Sequence, residues 1–181
     1  ISLTSVGRYP DAIAIYEDVL ERRTKLHGED ASETLMAINN LATALQRQGK
    51  YDEALELLEN NYQRRVELHG EKHRDTLLAM DRLASIHNVM GHYDQSVPLY
   101  EQALQCRRER MGEKHPETLE SMSGLGFAYR DAGRNELATQ TLQQALSDKT
   151  QVFGEDHPLA ISATSDLARV YLAIGRYDDA L

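Results

Sequence analysis

The apolar residues of this chain recur with the period of a helix and not with the alternation of a strand. In residues 33–48 one apolar ridge has spacings of three, three, one and three, and it consists of Leu35, Ile38, Leu41, Ala42 and Leu45. The same ridge returns three more times along the chain, beginning at Leu77, Leu119 and Ile161. Polar residues fill the positions between, so each segment is predicted to be a helix with one buried face.

Glycines separate these helices in two series, and each series has a period of 42 residues. The first series opens the segments "GEDASETL", "GEKHRDTL", "GEKHPETL" and "GEDHPLAI", and it consists of Gly28, Gly70, Gly112 and Gly154. The second series marks a tight turn between helices and consists of Gly7, Gly49, Gly91, Gly133 and Gly175. A fixed period of this length is typical of repeat proteins.

Each 42-residue unit is therefore predicted to hold two helices and two short connections. The first glycine series suits the left-handed position that follows a helix, and Pro116 and Pro158 suit the first turn of the next helix. After the second glycine series an aspartate is expected to cap the following helix, at Asp52, Asp94 or Asp178.

These elements predict an all-α chain in which residues 1–181 form one array of helix hairpins. The predicted parts are a half repeat at 1–27, full hairpins at 33–69, 75–111 and 117–153, and an incomplete repeat at 159–181. Solenoids normally end in polar capping repeats, and neither end here resembles one. We therefore expect a piece of a longer array, whose open ends can support self-association.

The composition narrows the classes of partner. The net charge of -9 argues against a nucleic-acid surface, where a basic stripe is expected. No apolar run reaches the length needed to span a bilayer, so no membrane partner is predicted. A single cysteine rules out an internal disulfide framework and is typical of a reducing compartment, which predicts a cytoplasmic protein.

Histidines recur in the joint "GEKHPETL" and raise the question of a metal site. His73, His115 and His157 occupy the same place in successive repeats, and His69 lies close by. A metal site needs several ligands that converge on one ion, whereas equivalent joints are separated by a whole repeat. The histidines are therefore predicted to cap helices or to lie at the surface, and no metal or other cofactor is expected.

Two further features suggest chemistry and are interpreted structurally. Cys106 has no evident base to activate it. It aligns with Arg64 one period earlier, Arg22 two periods earlier and Asp148 one period later, which predicts an exposed thiol. Arginine pairs near the ends of the second helices are interpreted as a solvated outer face; they are Arg22/Arg23, Arg64/Arg65 and Arg107/Arg108. No nucleotide-binding or hydrolase motif occurs, so the chain is not expected to be an enzyme.

The segments "INNLATAL…YDEALELL" and "MSGLGFAYRDAGRNELATQTL" resemble the tetratricopeptide repeat. The 42-residue period is longer than usual and is similar to that of the kinesin light chain repeats. It also resembles the repeats of nephrocystin-like proteins and of some STAND-type NTPase receptors. The resemblance implies a right-handed superhelical α-solenoid of antiparallel hairpins, in which the first helix of each hairpin lines a concave groove.

The resemblance also implies which residues line that groove. The variable stripe on the first helices follows one helical face. It consists of Met36, Asn39, Thr43, Gln46, Arg47, Leu78, Asp81, Ser85, Asn88, Glu120, Ser123, Phe127, Arg130, Asp131, Ser162, Ser165 and Arg169.

Two binding modes of the family can be compared with this stripe. The carboxylate-clamp mode uses lysines and asparagines, but the stripe offers Asn39 and Asn88 without a lysine. Kinesin light chain binds acidic-aromatic peptides with asparagines and basic residues, which Asn39 and Arg130 resemble. Three residues depart from that pattern at the asparagine position: Asp81, Ser123 and Ser165.

We therefore expect a non-catalytic adaptor or scaffold that binds a peptide or partner segment in its groove. The alternative is a regulatory domain, attached to a larger NTPase or signalling protein, that senses a ligand or controls oligomerisation.

Overall fold

The computed structural model describes residues 9–179, and these residues form eight α-helices and one short 3-10 helix. The α-helices are α1 (Tyr9–His27), α2 (Ser32–Gln48), α3 (Tyr51–His69), α4 (Arg74–Val89), α5 (Tyr93–Met111), α6 (Pro116–Asp131), α7 (Asn135–Phe153) and α8 (Pro158–Ala173). The 3-10 helix spans Tyr177–Asp179. No strand occurs in this part of the chain, which confirms the predicted all-α fold of helical hairpins. Gly7 and the outermost parts of the two predicted partial repeats, 1–8 and 180–181, lie outside the described residues.

The chain divides into two compact units at residues 90 and 91. In unit 1, α2 packs between α1 and α3, and α3 also packs against α4. In unit 2, α6 packs between α5 and α7, and α7 also packs against α8. We call α2, α4, α6 and α8 the first helices, and α1, α3, α5 and α7 the second helices. None of the helices within residues 9–179 combines the length and the apolarity that a membrane span requires.

Small residues allow the helices within a hairpin to approach closely. Ala42 and Ala84 are buried on the apolar ridges, as predicted. At Gly126 the approach is closest, because a Cβ there would lie 2.6 Å from Cγ of Leu142. Leu142 belongs to the buried apolar cluster of unit 2, so its side chain has little room to move away.

The two glycine series adopt different conformations. Gly49 is left-handed helical, with φ 86° and ψ 9°. Its N–H donates to the Gln46 carbonyl at 3.1 Å, and the Lys50 N–H donates to the Leu45 carbonyl at 3.0 Å, which is a Schellman cap. Gly112 also has a positive φ of 92°, but its ψ is 163°. The left-handed helical conformation predicted for the first series is therefore wrong, and the observed region is one that only glycine adopts readily.

The histidines of the joints are helix caps, and one of the two predicted roles is confirmed. His115 Nδ1 accepts a hydrogen bond from the Glu117 N–H at 3.2 Å, at the start of α6. His73 and His157 make the same contact at the starts of α4 and α8. Each imidazole thus satisfies one of the N–H groups that the first turn of a helix leaves without a partner.

Two of the aspartates predicted to cap helices, Asp52 and Asp94, lie two residues after the cap position. α3 begins after Lys50 and α5 begins after His92, and neither residue caps its helix with a side-chain hydrogen bond. Asp52 and Asp94 lie in the first turns of these helices, and Asp178 lies in the 3-10 helix. In a first turn the carboxylates interact favourably with the helix dipole instead of forming a cap.

Candidate partner-binding face

The residues predicted to line a groove lie on four helices, two in each unit. In unit 1 they are Met36, Asn39, Thr43, Gln46 and Arg47 on α2, and Leu78, Asp81, Ser85 and Asn88 on α4. In unit 2 they are Glu120, Ser123, Phe127, Arg130 and Asp131 on α6, and Ser162, Ser165 and Arg169 on α8. The two first helices of each unit contact each other, and we call each set the first-helix face of its unit.

A cavity of about 330 Å³ opens between α2 and α4 on the first-helix face of unit 1. Three of the predicted residues, Met36, Asn39 and Leu78, line it. Met36 is 55% exposed and Leu78 is 42% exposed, so both apolar side chains are accessible. The rest of the lining is polar, so the cavity presents two apolar side chains among hydrogen-bonding and charged groups.

Arg65 lines the base of this cavity, although it belongs to α3 and is only 3% exposed. Arg65 Nε donates to Asn61 Oδ1 at 2.9 Å. The Asn61 amide in turn donates to the Leu35 carbonyl at 2.8 Å and to Asn39 Oδ1 at 3.0 Å. Because its oxygen is held from below, Asn39 can offer its NH₂ group to a bound segment.

Burial lowers the pKa of Arg65, and the Asp75 carboxylate opposes that shift. The nearest atoms of the two groups, Arg65 Nη1 and Asp75 Oδ2, are 3.5 Å apart. An arginine remains protonated even after such a shift, so the base of the cavity carries a fixed positive charge.

A second cavity, of about 340 Å³, lies farther along α2 and α4. The predicted residues Thr43, Gln46, Arg47 and Ser85 line it together with Val89. Tyr51 and Arg82 also line it and are absent from the predicted set. The remaining predicted residues of unit 1, Asp81 and Asn88, are half-buried and interact with other groups of the protein.

The first-helix face of unit 2 is built around an aromatic ring. The Arg130 guanidinium carbon lies 5.2 Å from the centroid of Phe127, and that of Arg169 lies 5.0 Å from it. Arg130 Nε also donates to Asp131 Oδ1 at 2.8 Å. Two guanidinium groups on one half-buried ring form cation–π contacts that hold both arginines in place.

Beside this ring, a buried ammonium group supports the face from α7. Lys149 is 1% exposed, and its Nζ donates to Ser123 Oγ at 3.0 Å and to Glu120 Oε2 at 3.3 Å. Burial raises the pKa of Asp166, and the positive charges of Lys149 and Arg169 oppose that shift.

Ser123 differs from its predicted role. It is 3% exposed and its hydroxyl is occupied by Lys149, so it does not offer a contact at the surface. The predicted residues of α8 (Ser162, Ser165 and Arg169) are exposed, and Ser165 Oγ donates to the Ile161 carbonyl of its own helix at 3.1 Å.

The sequence interpretation missed a series of buried cations on the second helices. They are Arg65, Arg107 and Lys149, which are 3%, 2% and 1% exposed. The interpretation as a solvated outer face is therefore wrong for Arg65 and Arg107. The 42-residue period could have indicated this series, because the three cations are one period apart and Arg23, which is half-buried, lies one period before Arg65.

Cys106 is also buried, at 7% exposure, so the prediction of an exposed thiol is wrong. One period earlier stands Arg64, which is partly exposed and forms ion pairs with Glu29 and Asp30. A small apolar thiol can pack where a long cation would turn outward, so position in the repeat did not determine its exposure.

Comparison with known proteins identifies the architecture. The sequence profile of the tetratricopeptide repeat matches residues 1–59, 33–95, 75–151 and 125–181, which together cover the chain. No curated protein matches the chain.

Several solved structures share its fold. TPR-like repeats assigned to a kinesin light chain of Podosopora anserina are 26% identical, with a TM-score of 0.80, over 98% of this chain and 84% of that one. BtubC (BKLC) from P. vanneervenii is 22% identical, with a TM-score of 0.78, over 98% of this chain and 71% of that one. MamA AMB-1 is 22% identical, with a TM-score of 0.57, over 99% of this chain and 88% of that one, so the last two show similarity of fold alone. The chain therefore belongs to the tetratricopeptide repeat family, as an array of the kinesin light chain-like type.

Proposed function

We propose that the first-helix face of this protein binds a peptide or an extended partner segment. Tetratricopeptide repeats are protein-interaction modules and are in general non-catalytic, so the broader role of interaction scaffold follows from the family. The single observation that carries the narrower proposal is the support of Asn39 by Asn61 and Arg65 at the base of an open cavity.

This arrangement supports binding because Asn39 is already oriented. A donor held in position by buried groups loses little conformational entropy when a ligand arrives. The exposed side chains of Met36 and Leu78 offer apolar contact on either side of it. In unit 2, Phe127 with its two arginines supports a second contact region of aromatic and cationic character.

The proposed ligand is a protein segment with polar backbone groups and at least one apolar side chain for the cavity in unit 1. We place this role in the cytoplasm, because a single cysteine is typical of a reducing compartment. No feature of residues 9–179 favours the regulatory alternative over a scaffold.

The proposal is tested by selecting peptides from a random display library and measuring their affinity by fluorescence anisotropy. Asn39→Ala removes the oriented amide and is expected to weaken binding about tenfold, the loss expected for one buried hydrogen bond. Gln63→Ala is the matched control, because Gln63 is an exposed amide on α3 whose NH₂ group donates to Glu67 across one helical turn. Selected peptides that bind Asn39→Ala and wild type equally would refute a role for this face in unit 1.

A further inference from the structure

A third opening in unit 1 lies on the other side of α2 from the two cavities of the first-helix face, between the second helices α1 and α3. Its volume is about 500 Å³. Apolar side chains from all three helices line it: Leu20, Ile38, Leu41, Leu45 and Leu57. We call it the second-helix crevice. On α2 the crevice is lined by Thr34, Ile38, Leu41 and Leu45, which alternate at helical spacing with the residues of the first-helix face. The crevice and the first-helix face therefore lie on opposite sides of α2.

One residue that lines the crevice, Leu45, has an aromatic counterpart in unit 2. Two periods later, the positions of Leu20, Ile38, Leu41 and Leu45 are occupied by Leu104, Met122, Leu125 and Tyr129, which all belong to the buried cluster of unit 2. The Tyr129 hydroxyl, on α6, donates to Glu101 Oε1 of α5 at 2.6 Å. In unit 1 the counterpart of that acceptor, Glu17, is present, but Leu45 has no ring to reach it.

The rim of the crevice is acidic. Four carboxylates line it, those of Glu17, Glu29, Glu53 and Glu56, together with the guanidinium of Arg64. Glu29 is paired with Arg64 and Glu53 with Lys50, so the exposed carboxylates of Glu17 and Glu56 contribute most of the negative charge that is not balanced. An adjoining cavity of about 860 Å³ shares part of this rim and adds the carboxylates of Asp30, Glu59 and Glu67. Clustered carboxylates beside an apolar floor create a negative potential that attracts cations and repels anions.

We propose that the second-helix crevice is a docking site for a basic protein segment that inserts one large apolar side chain. The apolar floor receives the anchor, and the carboxylates of the rim, above all those of Glu17 and Glu56, attract the lysine or arginine residues that flank it. The volume of about 500 Å³ lies within the range of about 300–1,000 Å³ that is typical of ligand pockets. This site goes beyond the proposed function, because none of its lining residues belongs to the first-helix face.

The experiment measures binding of a labelled peptide of sequence GKKWKKG to the complete chain by fluorescence anisotropy. The comparison peptides are GEEWEEG, which reverses the charge, and GKKGKKG, which lacks the anchor. The peptide GKKWKKG is expected to bind at least about tenfold more tightly than either comparison peptide. It alone has both an apolar side chain for the floor of the crevice and lysines for the carboxylates of the rim. Its affinity is expected to fall as salt is raised from about 50 to 200 mM, because exposed charges are screened. Equal affinities for the three peptides, or no binding of GKKWKKG, would overturn the proposal.

The decisive variant is Leu45→Tyr, which fills the crevice with the residue found at the same position of unit 2. The new phenol can reach Glu17 as Tyr129 reaches Glu101, so the fold is expected to tolerate it. Binding of GKKWKKG is expected to weaken by about tenfold or more, since the anchor loses its apolar contact. The matched control Leu26→Tyr, at a leucine of α1 that is 76% exposed, is expected to bind as wild type does.

A second variant keeps the test valid if Leu45→Tyr does not fold. Glu17→Gln/Glu56→Gln removes two exposed rim charges and is expected to weaken binding about three- to tenfold and to reduce the salt dependence. Unchanged binding by this variant would overturn the proposal. So would sedimentation showing wild-type dimers that Leu45→Tyr converts to monomers, because the occupant would then be a second copy of this chain.

Discussion

Replacement of Arg65 by methionine isolates the contribution of one buried guanidinium to stability. Methionine keeps an unbranched apolar stem of similar length, so the packing of α3 against α2 is largely preserved. What disappears is the hydrogen bond to Asn61 Oδ1 and the ion pair with Asp75. Asn61 is completely buried, so no water can replace the lost donor.

The expected loss follows from these contacts. An acceptor left without a partner in a buried position costs about 1–3 kcal/mol, and bonds to charged groups lie toward the upper end of that range. Asp75 is 33% exposed at its side chain, so the loss of its partner adds little. We therefore expect Arg65→Met to lower the free energy of unfolding by about 2–3 kcal/mol.

The neighbouring residue provides the matched control. Arg64→Met removes ion pairs with Glu29 and Asp30, whose side chains are 66% and 61% exposed. Exposed pairs of this kind contribute about 0–1 kcal/mol, so the second variant is expected to be nearly as stable as wild type. Both variants are measured by urea denaturation followed by circular dichroism. Equal losses in the two variants, or a loss below about 0.5 kcal/mol in Arg65→Met, would refute the argument from burial.

Three further predictions concern the joints and a buried phenol. His115→Ala removes the cap of α6 and is expected to lower the free energy of unfolding, measured by thermal denaturation, by about 1 kcal/mol. His115→Asn should restore most of that stability. Equal stability of all three proteins would contradict the role of His115 as a cap. Gly112→Ala places a side chain at φ 92° and ψ 163° and is expected to cost about 1–3 kcal/mol, and a neutral result would contradict the strain. Burial, and then Glu101, raise the pKa of Tyr129 to about 12, so stability from this group is present below about pH 10 and is lost as pH rises through about 12. Ultraviolet titration should detect this late phenol in wild type and not in Tyr129→Phe.

The helices and their order were predictable because the same physical signal was repeated. One apolar ridge of helical spacing can arise by chance. Four such ridges at a 42-residue period predict stacked helix pairs. The glycines strengthened the prediction, since a positive φ is required wherever the chain reverses between these helices.

The buried cations could not be found from composition or helical position alone. A long cation near the end of a helix is usually solvated, and this expectation misled the interpretation of Arg65 and Arg107. The third arginine pair is also shifted by one residue relative to the other two, because Cys106, and not Arg107, stands one period after Arg64. Whether a cation turns inward depends on polar partners from another helix, as Asn61 provides for Arg65.

The candidate site was predictable as a set of positions but not as a set of roles. Spacing on α6 places Ser123 beside Glu120 and Phe127. Only the structure shows that Lys149 covers the serine hydroxyl from α7. The second-helix crevice was also not predictable, because it is lined by residues of three helices whose spacing no local pattern specifies.

The buried cations connect the repeat framework to the variable face, and the connection differs between the two units. In unit 1, Arg65 reaches Asn39 through the amide of Asn61. In unit 2, Ala145 stands at the position of Asn61 and is completely buried, so Lys149 extends directly to Ser123. In each unit the second helix thus carries the residue that suits the polar group above it: Asn61 lies below Asn39, and Lys149 lies below Ser123. A polar residue of the face therefore cannot change independently of the framework beneath it, because an unmatched cation or amide would remain buried without a partner.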